Sequence, residues 1–480
     1  MCPDKSIKLN RVMIAAMKSG SGKTMVTCAL LQALKDRGQK AVACKCGPDY
    51  IDPMFHQKVI QVPSRNLDTF FTEEQTTREL LLKGRNQGDI AVLEGVMGLY
   101  DGLGGIREEG SSYHLAQVTH TPIILLVDAK GASRSIIPAI AGFLAYDHAH
   151  LIQGVILNRT SKACYQLLKP LLEKELHIKA LGYLPQQKEF HIESRHLGLV
   201  TPLELKGIQD QLSTMSRQFA DTVSVEAIMD IARAACPLAL PEEHLPPVSH
   251  KSARIAVARD EAFCFYYEDN LRLLEEYGAS LQYFSPLHDK KLPDGCSGLL
   301  LGGGYPELYA RELSANISML TSIQQAISQG MPAVAECGGF MYLHSAIQTP
   351  DGTLHPMADV IPAVCTYTGK LVRFGYIQIK EKQSRFLGEN QSIKGHEFHY
   401  YDSPTNGDAC FATKPVTNNT YSCIIEGENY WFGFPHLYYP SNPAFPRRFA
   451  EMAHNYAERN QETLYGAGDK NCSHRNHRGR

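Results

Sequence analysis

A cysteine followed by two glycines, at the end of an apolar run, offers the plainest chemistry in this chain. Residues 331–335 read Met-Pro-Ala-Val-Ala, and Glu336, Cys337, Gly338, Gly339 and Phe340 follow. That order suits a nucleophile elbow, a tight strand-to-helix turn that exposes a reactive side chain. Glycines after the thiol let a substrate approach the backbone, and a helix N-terminus there is expected to lower the thiol pKa. A buried structural cysteine fits the same residues. Far upstream, residues 17–24 read Met-Lys-Ser-Gly-Ser-Gly-Lys-Thr, between an apolar run and a helical pattern. This is the setting of a phosphate loop, in which Ser19, Gly20, Ser21 and Gly22 turn backbone N–H groups toward phosphate oxygens. Lys23 supplies positive charge and Thr24 a hydroxyl for Mg²⁺. Met17 stands where the usual formula has its first glycine, so the reading rests on the remaining residues and their context.

Residues 45–53 (Lys-Cys-Gly-Pro-Asp-Tyr-Ile-Asp-Pro) and 94–102 (Glu-Gly-Val-Met-Gly-Leu-Tyr-Asp-Gly) each follow an apolar run. A carboxylate at a strand end beside a phosphate loop suits a Mg²⁺ ligand or its water shell. Thr24, Asp49 and Glu94 are therefore the candidate metal set. Asp49, Asp52 and Asp101 also fit turn caps, given their Gly and Pro neighbours. Tyr50, Ile51 and Asp52 form a candidate substrate set, with Tyr50 and Ile51 bearing on which carboxylate reacts. Loop packing is the plainer reading of Ile51. Asn158, just past the run 151–157, completes the nucleotide-binding set. In the C-terminal half, Gly302, Gly303 and Gly304 end another apolar run. The N–H groups of Gly303, Gly304 and Gly338 are the candidate oxyanion donors. His436 is the candidate base for Cys337, while His396 and His399 compete on composition alone.

These residues need a frame that brings strand ends together. Apolar runs at 11–16, 40–44, 90–93, 122–127 and 151–157 alternate with helical spacing at 73–84 and 135–145. The alternation predicts a parallel sheet covered on both faces, with ligands beyond the carboxyl ends of its strands. Four prolines within residues 237–247 interrupt the pattern as a stiff connector. A second α/β series follows, with strands at 254–258, 280–284 and 298–301, helices at 269–277 and 314–329, and strand-rich sequence beyond 366. The expected division is an ATP-binding unit at 1–235, a linker at 236–253, a second unit at 254–460 and a disordered tail at 461–480. With 480 residues the chain exceeds a single core. A net charge of −2 and 20% charged residues give no reason to expect nucleic acid or a membrane as partner. Thirteen cysteines without a paired framework, and an N-terminus without a signal-peptide core, point to reduced thiols and the cytoplasm.

Blocks in both halves resemble the cobyrinate a,c-diamide synthases, glutamine-dependent amidoligases of corrin biosynthesis. They are GPDYIDP (47–53), SRNLD (64–68), EGVMGLYDG (94–102) and RHLGLV (195–200) in the first half. In the second they are ARDEAFCFYY (258–267), LGGGYPE (301–307), AECGGFMYL (335–343) and GHEFHY (395–400). The resemblance implies an α/β chain in which a P-loop, dethiobiotin-synthetase-like parallel-sheet domain is fused to a class I glutamine amidotransferase α/β domain. It implies Cys337 as glutaminase nucleophile and His436 as general base, with ATP, Mg²⁺, L-glutamine and a corrinoid tetrapyrrole as the small-molecule partners. Amidation would fall on the a and c acetates of cobyrinate through acyl phosphates, with hydrogenobyrinate and nickel-sirohydrochlorin as alternatives. A homodimer through the ATP domain belongs to the same expectation. Where the family usually writes YLHLHF, this chain has Pro435, His436, Leu437, Tyr438 and Tyr439, which bears on how the imidazole is held. No third member of the Cys–His set is assigned. Lys18 opens a different class, a deviant P-loop ATPase switch, which leaves Cys337 without a role.

Overall fold

A computed structural model describes residues 6–186, 202–239 and 253–469. The chain divides into two units, Met1–Glu243 and His244–Arg480. The block at 195–200 and most of the proline-rich stretch lie outside the described residues.

Seven strands build the main sheet of the first unit: β1 (Asn10–Ala16), β2 (Ala41–Cys46), β3 (Ser64–Leu67), β4 (Ile90–Glu94), β5 (Ile123–Asp128), β6 (Ile152–Asn158) and β7 (Lys179–Leu184). Their order is β3-β2-β4-β1-β5-β6-β7, and every pairing is parallel. Strands covered on both faces must be apolar on both faces, so residues 12–16 of β1 and 123–127 of β5 read as unbroken apolar runs rather than alternating ones. Helix α1 (Lys23–Asp36) turns Val26, Leu30, Leu31 and Leu34 onto the sheet. Strands β3 and β7 escape the sequence pattern. β3 reads Ser-Arg-Asn-Leu, and its polar side chains are buried because each finds a partner: Arg65 donates to the Leu80 carbonyl, and Asn66 to those of Gly47 and Asp49.

Arg11, fully buried in β1, shows the same principle at a charged group. Its guanidinium donates to the carbonyls of Leu9, Thr119, His120 and Cys236. The last contact reaches the stretch expected to be a linker, and there Leu238–Ala239 pairs antiparallel with Ser6–Ile7. The first residues of that stretch are thus bound into the first unit, because strand pairing satisfies their backbone groups.

The second unit contains β8 (Ala253–Ala258), β9 (Ala279–Phe284), β10 (Gly298–Leu301), β11 (Ala333–Glu336), β12 (Arg373–Glu381), β13 (Ser392–His399), β14 (Cys410–Thr413), β15 (Thr420–Cys423), β16 (Ile425–Glu426), β17 (Tyr430–Gly433) and β18 (His436–Leu437). One sheet has the order β9-β8-β10-β11-β17-β16, parallel except for its last pair. A second, antiparallel sheet has the order β15-β14-β12-β13-β18. Only Phe434 and Pro435 separate β17 from β18, so the chain changes sheets there. The helix expected at 314–329 is two helices, Ala310–Ala315 and Ile317–Ser328. They part at Asn316, whose Nδ2 donates to the carbonyls of Pro286 and Asp289.

The tail expected to be disordered from 461 is corrected in part, because helix Ala444–Asp469 runs into it. That helix is anchored by Phe445, Phe449 and Ala453, buried in one core with Ile255 and Val257. Among the described residues no helix is long and apolar enough to cross a membrane.

Candidate active sites

The turn after β1 is shaped by two left-handed glycines, Gly20 at φ 71° and Gly22 at φ 94°. Gly22 is constrained twice, since a Cβ there would come within 2.7 Å of Asn158 Nδ2. Asn158, at the end of β6, donates to the Ser21 carbonyl at 2.8 Å, so it buttresses the loop from two strands away in the sheet. Arg159 clasps Asp128 and also reaches the Gly20 carbonyl at 3.1 Å. Lys18 Nζ lies 3.7 Å from the same Asp128, while Ser19 and Gly20 are exposed. Helix α1 starts directly after Gly22 without a side-chain cap, which leaves its first N–H groups to an anionic ligand. Lys23 Nζ donates to the Met97 carbonyl, and burial and the nearby Lys45 lower its pKa.

Thr24, Asp52 and Glu94 converge beside this loop. Glu94 ends β4 and lies in register with Lys45 of β2, which places the two side chains together. Thr24 Oγ1 donates to Glu94 Oε1 at 2.6 Å and stands 3.5 Å from Asp52 Oδ2. Lys45 Nζ lies 2.8 Å from Glu94 Oε1 and 2.5 Å from Asp52 Oδ2, and His56 Nε2 is 3.4 Å from Glu94 Oε2. Burial would push the Glu94 carboxyl up, but Lys45 and the nearby His56 outweigh it and hold it well below the usual carboxylate range. Burial and the Glu94 charge push Asp52 the other way. One ammonium shared between two carboxylates accounts for the split.

The carboxylate brought to Thr24 and Glu94 is that of Asp52, from the expected substrate set. Asp49 instead accepts the Ile51 N–H at 2.8 Å and caps the turn into helix Ile51–Phe55, with Tyr50 buried beside it. Asp101 likewise accepts the Gly98 N–H at 2.8 Å. Sequence reasoning gave no role to Lys45 or His56. The signal was a lysine inside the otherwise apolar β2, since a lysine is almost never buried without a partner. Among the described residues, no three His, Cys, Asp or Glu side chains are arranged to hold a metal on their own. The hard oxygen donors of Thr24, Asp52 and Glu94 nonetheless fit Mg²⁺, which commonly takes one or two carboxylates and completes its shell with phosphate oxygens.

In the second unit the elbow is real. Cys337 follows β11 at φ 46°, ψ −102°, and helix Gly338–Tyr342 begins directly after it. A non-glycine residue held there costs about 1–3 kcal/mol, which its surroundings must over-determine. The Cys337 N–H donates to the Gly433 carbonyl at 2.8 Å, and Gly339 N–H to that of Gly302 at 2.9 Å. The expected lowering of the thiol pKa is corrected. Burial and the Glu307 charge push it far up, and the Gly338 N–H, which opposes them, is the weaker effect.

The glycine turn lies between Cys337 and His436. A Cβ on Gly303 would come within 2.4 Å of His436 Cε1, and one on Gly338 within 3.0 Å of the Gly304 nitrogen. His436 is buried, stacks on His396 at 5.0 Å and meets the edge of Phe265. Burial, then the neighbouring His396, hold its pKa well below the usual value, so the imidazole is neutral and able to accept a proton. The competing histidines are engaged elsewhere: His396 Nδ1 with Tyr267 Oη at 3.1 Å, and His399 with the Tyr401 carbonyl at 2.7 Å and stacked on Phe434.

Two family models match this chain. A CobQ/CobB/MinD/ParA nucleotide binding domain covers residues 12–200, and a CobB/CobQ-like glutamine amidotransferase domain covers residues 254–438. The cobyrinate a,c-diamide synthase of Thermoplasma volcanium is 38% identical over 465 residues, spanning 95% of this chain and 100% of the relative. The chain belongs to the cobyrinate a,c-diamide synthase family. Other members give the same picture. That of Dehalococcoides mccartyi is 36% identical over 93% of this chain and 98% of its own length. That of Salmonella typhimurium is 40% identical over 84% and 88%. As a member of this family the chain is an enzyme, a ligase with an amidotransferase domain, and a free-standing ATPase switch does not account for its second half. The close approach at Gly303 carries a prediction. Gly303→Ala is expected to displace the imidazole and cut glutamine-dependent turnover by about 10²-fold, as a misplacement near 1 Å does. Paired assays with glutamine and with ammonium should show ammonia-dependent turnover unchanged.

Proposed function

We propose that this chain uses ATP and glutamine to amidate the a and c acetate carboxylates of cobyrinate. One observation carries the reading: a phosphate-loop site and a Cys–His site occur together in a chain aligned along nearly all its length with relatives named for that reaction. A carboxylate is a poor electrophile and ammonium a poor nucleophile, so the reaction needs both an activated acyl group and free ammonia.

In the first unit Lys23 and the loop N–H groups hold the ATP phosphates, and the γ-phosphoryl group passes to a substrate carboxylate oxygen with release of ADP. Thr24, Glu94 and Asp52 would hold Mg²⁺, which supplies neutralisation of phosphate charge when bound. Asp49 sets the turn that presents Tyr50 and Ile51, the residues proposed to choose which carboxylate reacts first. In the second unit Cys337 Sγ bonds to the side-chain amide carbon of glutamine while its proton moves to His436. This coupled transfer suits a thiol that is neutral at rest. The N–H groups of Gly304 and Gly338 face the oxygen as it gains charge, and Gly303 leaves room for the base. As the C–N bond breaks, His436 returns the proton to the departing ammonia, and water then cleaves the thioester to glutamate. Ammonia attacks the acyl phosphate and displaces phosphate.

The test is mass spectrometry of products after the protein is given ATP, Mg²⁺, glutamine and one macrocycle at a time. Two successive one-amide mass changes on cobyrinate are expected. Conversion of hydrogenobyrinate or nickel-sirohydrochlorin in its place would overturn the substrate, and no conversion of any of the three would overturn the reaction.

A further inference from the structure

Gly302, Gly303 and Gly304 follow β10 with no side chain among them, so backbone hydrogen bonds must hold this turn in place of packing. One grip comes from Tyr266. Its hydroxyl accepts the Gly302 N–H at 2.8 Å and donates to the Ala258 carbonyl at the end of β8. Desolvation pushes the Tyr266 pKa up, so the hydroxyl stays protonated and able to donate. The Gly302 carbonyl accepts the Gly339 N–H at 2.9 Å, two residues past Cys337. Hydrogen bonds thus run from β8 through Tyr266 and Gly302 to the helix that begins after Cys337. The fit is close: a Cβ on Gly302 would come within 2.5 Å of Tyr266 Cε1 and Cζ. Further along, Phe265 pairs with Gly303 and Phe263 with Gly304, and the Tyr305 N–H donates to the Ala262 carbonyl at 2.8 Å. Those contacts are made by backbone groups; Tyr266 adds a side chain to the set.

We propose that Tyr266 is a positioning residue of the glutaminase site, its hydroxyl holding the Gly302 peptide and so setting where the Gly304 N–H stands as the substrate oxygen gains charge. This rests on the reading of Cys337 as nucleophile and of the glycine turn as oxyanion donor. A donor stabilises a developing oxyanion only when it is already held about 2.7–3.1 Å from where the charge forms. Glycine has the widest conformational freedom of any residue, so a run of three does not hold that geometry unaided. Tyr266 acts through the turn. A shift there also reaches the base, because Gly303 lies against His436 Cε1 and the neighbouring Phe265 meets the same imidazole at its edge.

Full-length Tyr266→Phe, Gly302→Ala and Cys337→Ser variants, assayed with glutamine and with ammonium, test this. Tyr266→Phe keeps the ring and deletes only the hydroxyl, leaving the Gly302 N–H and the Ala258 carbonyl without this partner. Its glutamine-dependent kcat is expected to fall about 30-fold, within the range for a lost hydrogen-bond partner and a loosened oxyanion donor. The KM for glutamine and the ammonia-dependent rate should change by less than about threefold. Glutamate γ-semialdehyde gives a second readout. The Cys337 sulfur bonds to its aldehyde carbon as the thiol proton passes to the carbonyl oxygen, so the adduct puts an oxygen where the oxyanion would form. Inhibition by the semialdehyde should weaken about tenfold in Tyr266→Phe. A parental kcat, a loss confined to KM, an equal loss with ammonium, or parental inhibition by the semialdehyde would each overturn the proposal. Should Tyr266→Phe fail to fold, Gly302→Ala decides. Its Cβ pushes against the Tyr266 ring, and a parental glutamine-dependent kcat there overturns the role of this contact. Cys337→Ser separates the two levels. If it keeps glutamine-dependent turnover, the reading of the site falls. If it is inactive while Tyr266→Phe is fully active, only the role of Tyr266 falls.

Discussion

Replacing Cys337 by serine is expected to abolish glutamine-dependent amidation and to leave ammonia-dependent amidation at the parental rate. Serine has nearly the shape of cysteine, so the elbow at φ 46° and its bond to the Gly433 carbonyl persist. What is lost is the sulfur nucleophile, because a hydroxyl in the same buried setting is far harder to deprotonate and His436 is a weak base there. Removing the nucleophile of a comparable covalent site costs on the order of 10⁶ in kcat. Initial rates with glutamine and with ammonium chloride give the answer directly. Loss of both activities in a folded variant would refute the separation of ammonia production from amidation.

Glu94→Ala is expected to remove amidation with either nitrogen source and also to destabilise the first unit. The side chain is fully buried against Lys45, Thr24 and His56. Deleting one partner of a buried ion pair leaves an uncompensated charge and costs roughly 3–5 kcal/mol. Asp52 moderates that loss. The Glu94 charge is one of the influences holding the Asp52 pKa up. Without it Asp52 ionises more readily and pairs with Lys45, so the lower end, about 3 kcal/mol, is expected. The pH dependence has a definite sign. The folded-state pKa of Glu94 is depressed, so its contribution is fully present above the unfolded value of about 4.3 and is lost as pH falls below it. The gap between parent and variant in the first unit's urea unfolding midpoint should therefore narrow as the pH is lowered through the acid range. A gap that widened, or one already absent at pH 7, would remove the electrostatic account of this cluster.

The alternation of strands and helices, the phosphate loop and the cysteine elbow were all legible in the residues. The reason is local. Short apolar runs, alternating with helical spacing, suit strands covered on both faces, and a loop of glycines before Lys23 has few other uses. Strand β3 was not legible, because its Ser-Arg-Asn-Leu looks like a loop until partners for Arg65 and Asn66 are seen. The same blindness explains Lys45 and the exchange between Asp49 and Asp52. Which of two aspartates three residues apart caps a turn, and which meets Thr24, depends on how the chain turns between them.

The sequence by itself determined that there are two α/β units, that one carries Lys23 and Thr24 in a phosphate loop, and that the other ends a strand at Cys337. These follow from periodicity and from glycine placement, which act over a few residues. Tertiary structure decided the electrostatics and the spacing. It put Lys45 between Glu94 and Asp52, raised the Cys337 thiol pKa where a helix N-terminus alone would lower it, and seated His436 against Gly303. Each of these depends on burial and on residues far apart in the chain, because the energy of a charge or a hydrogen bond is set by what surrounds it in space.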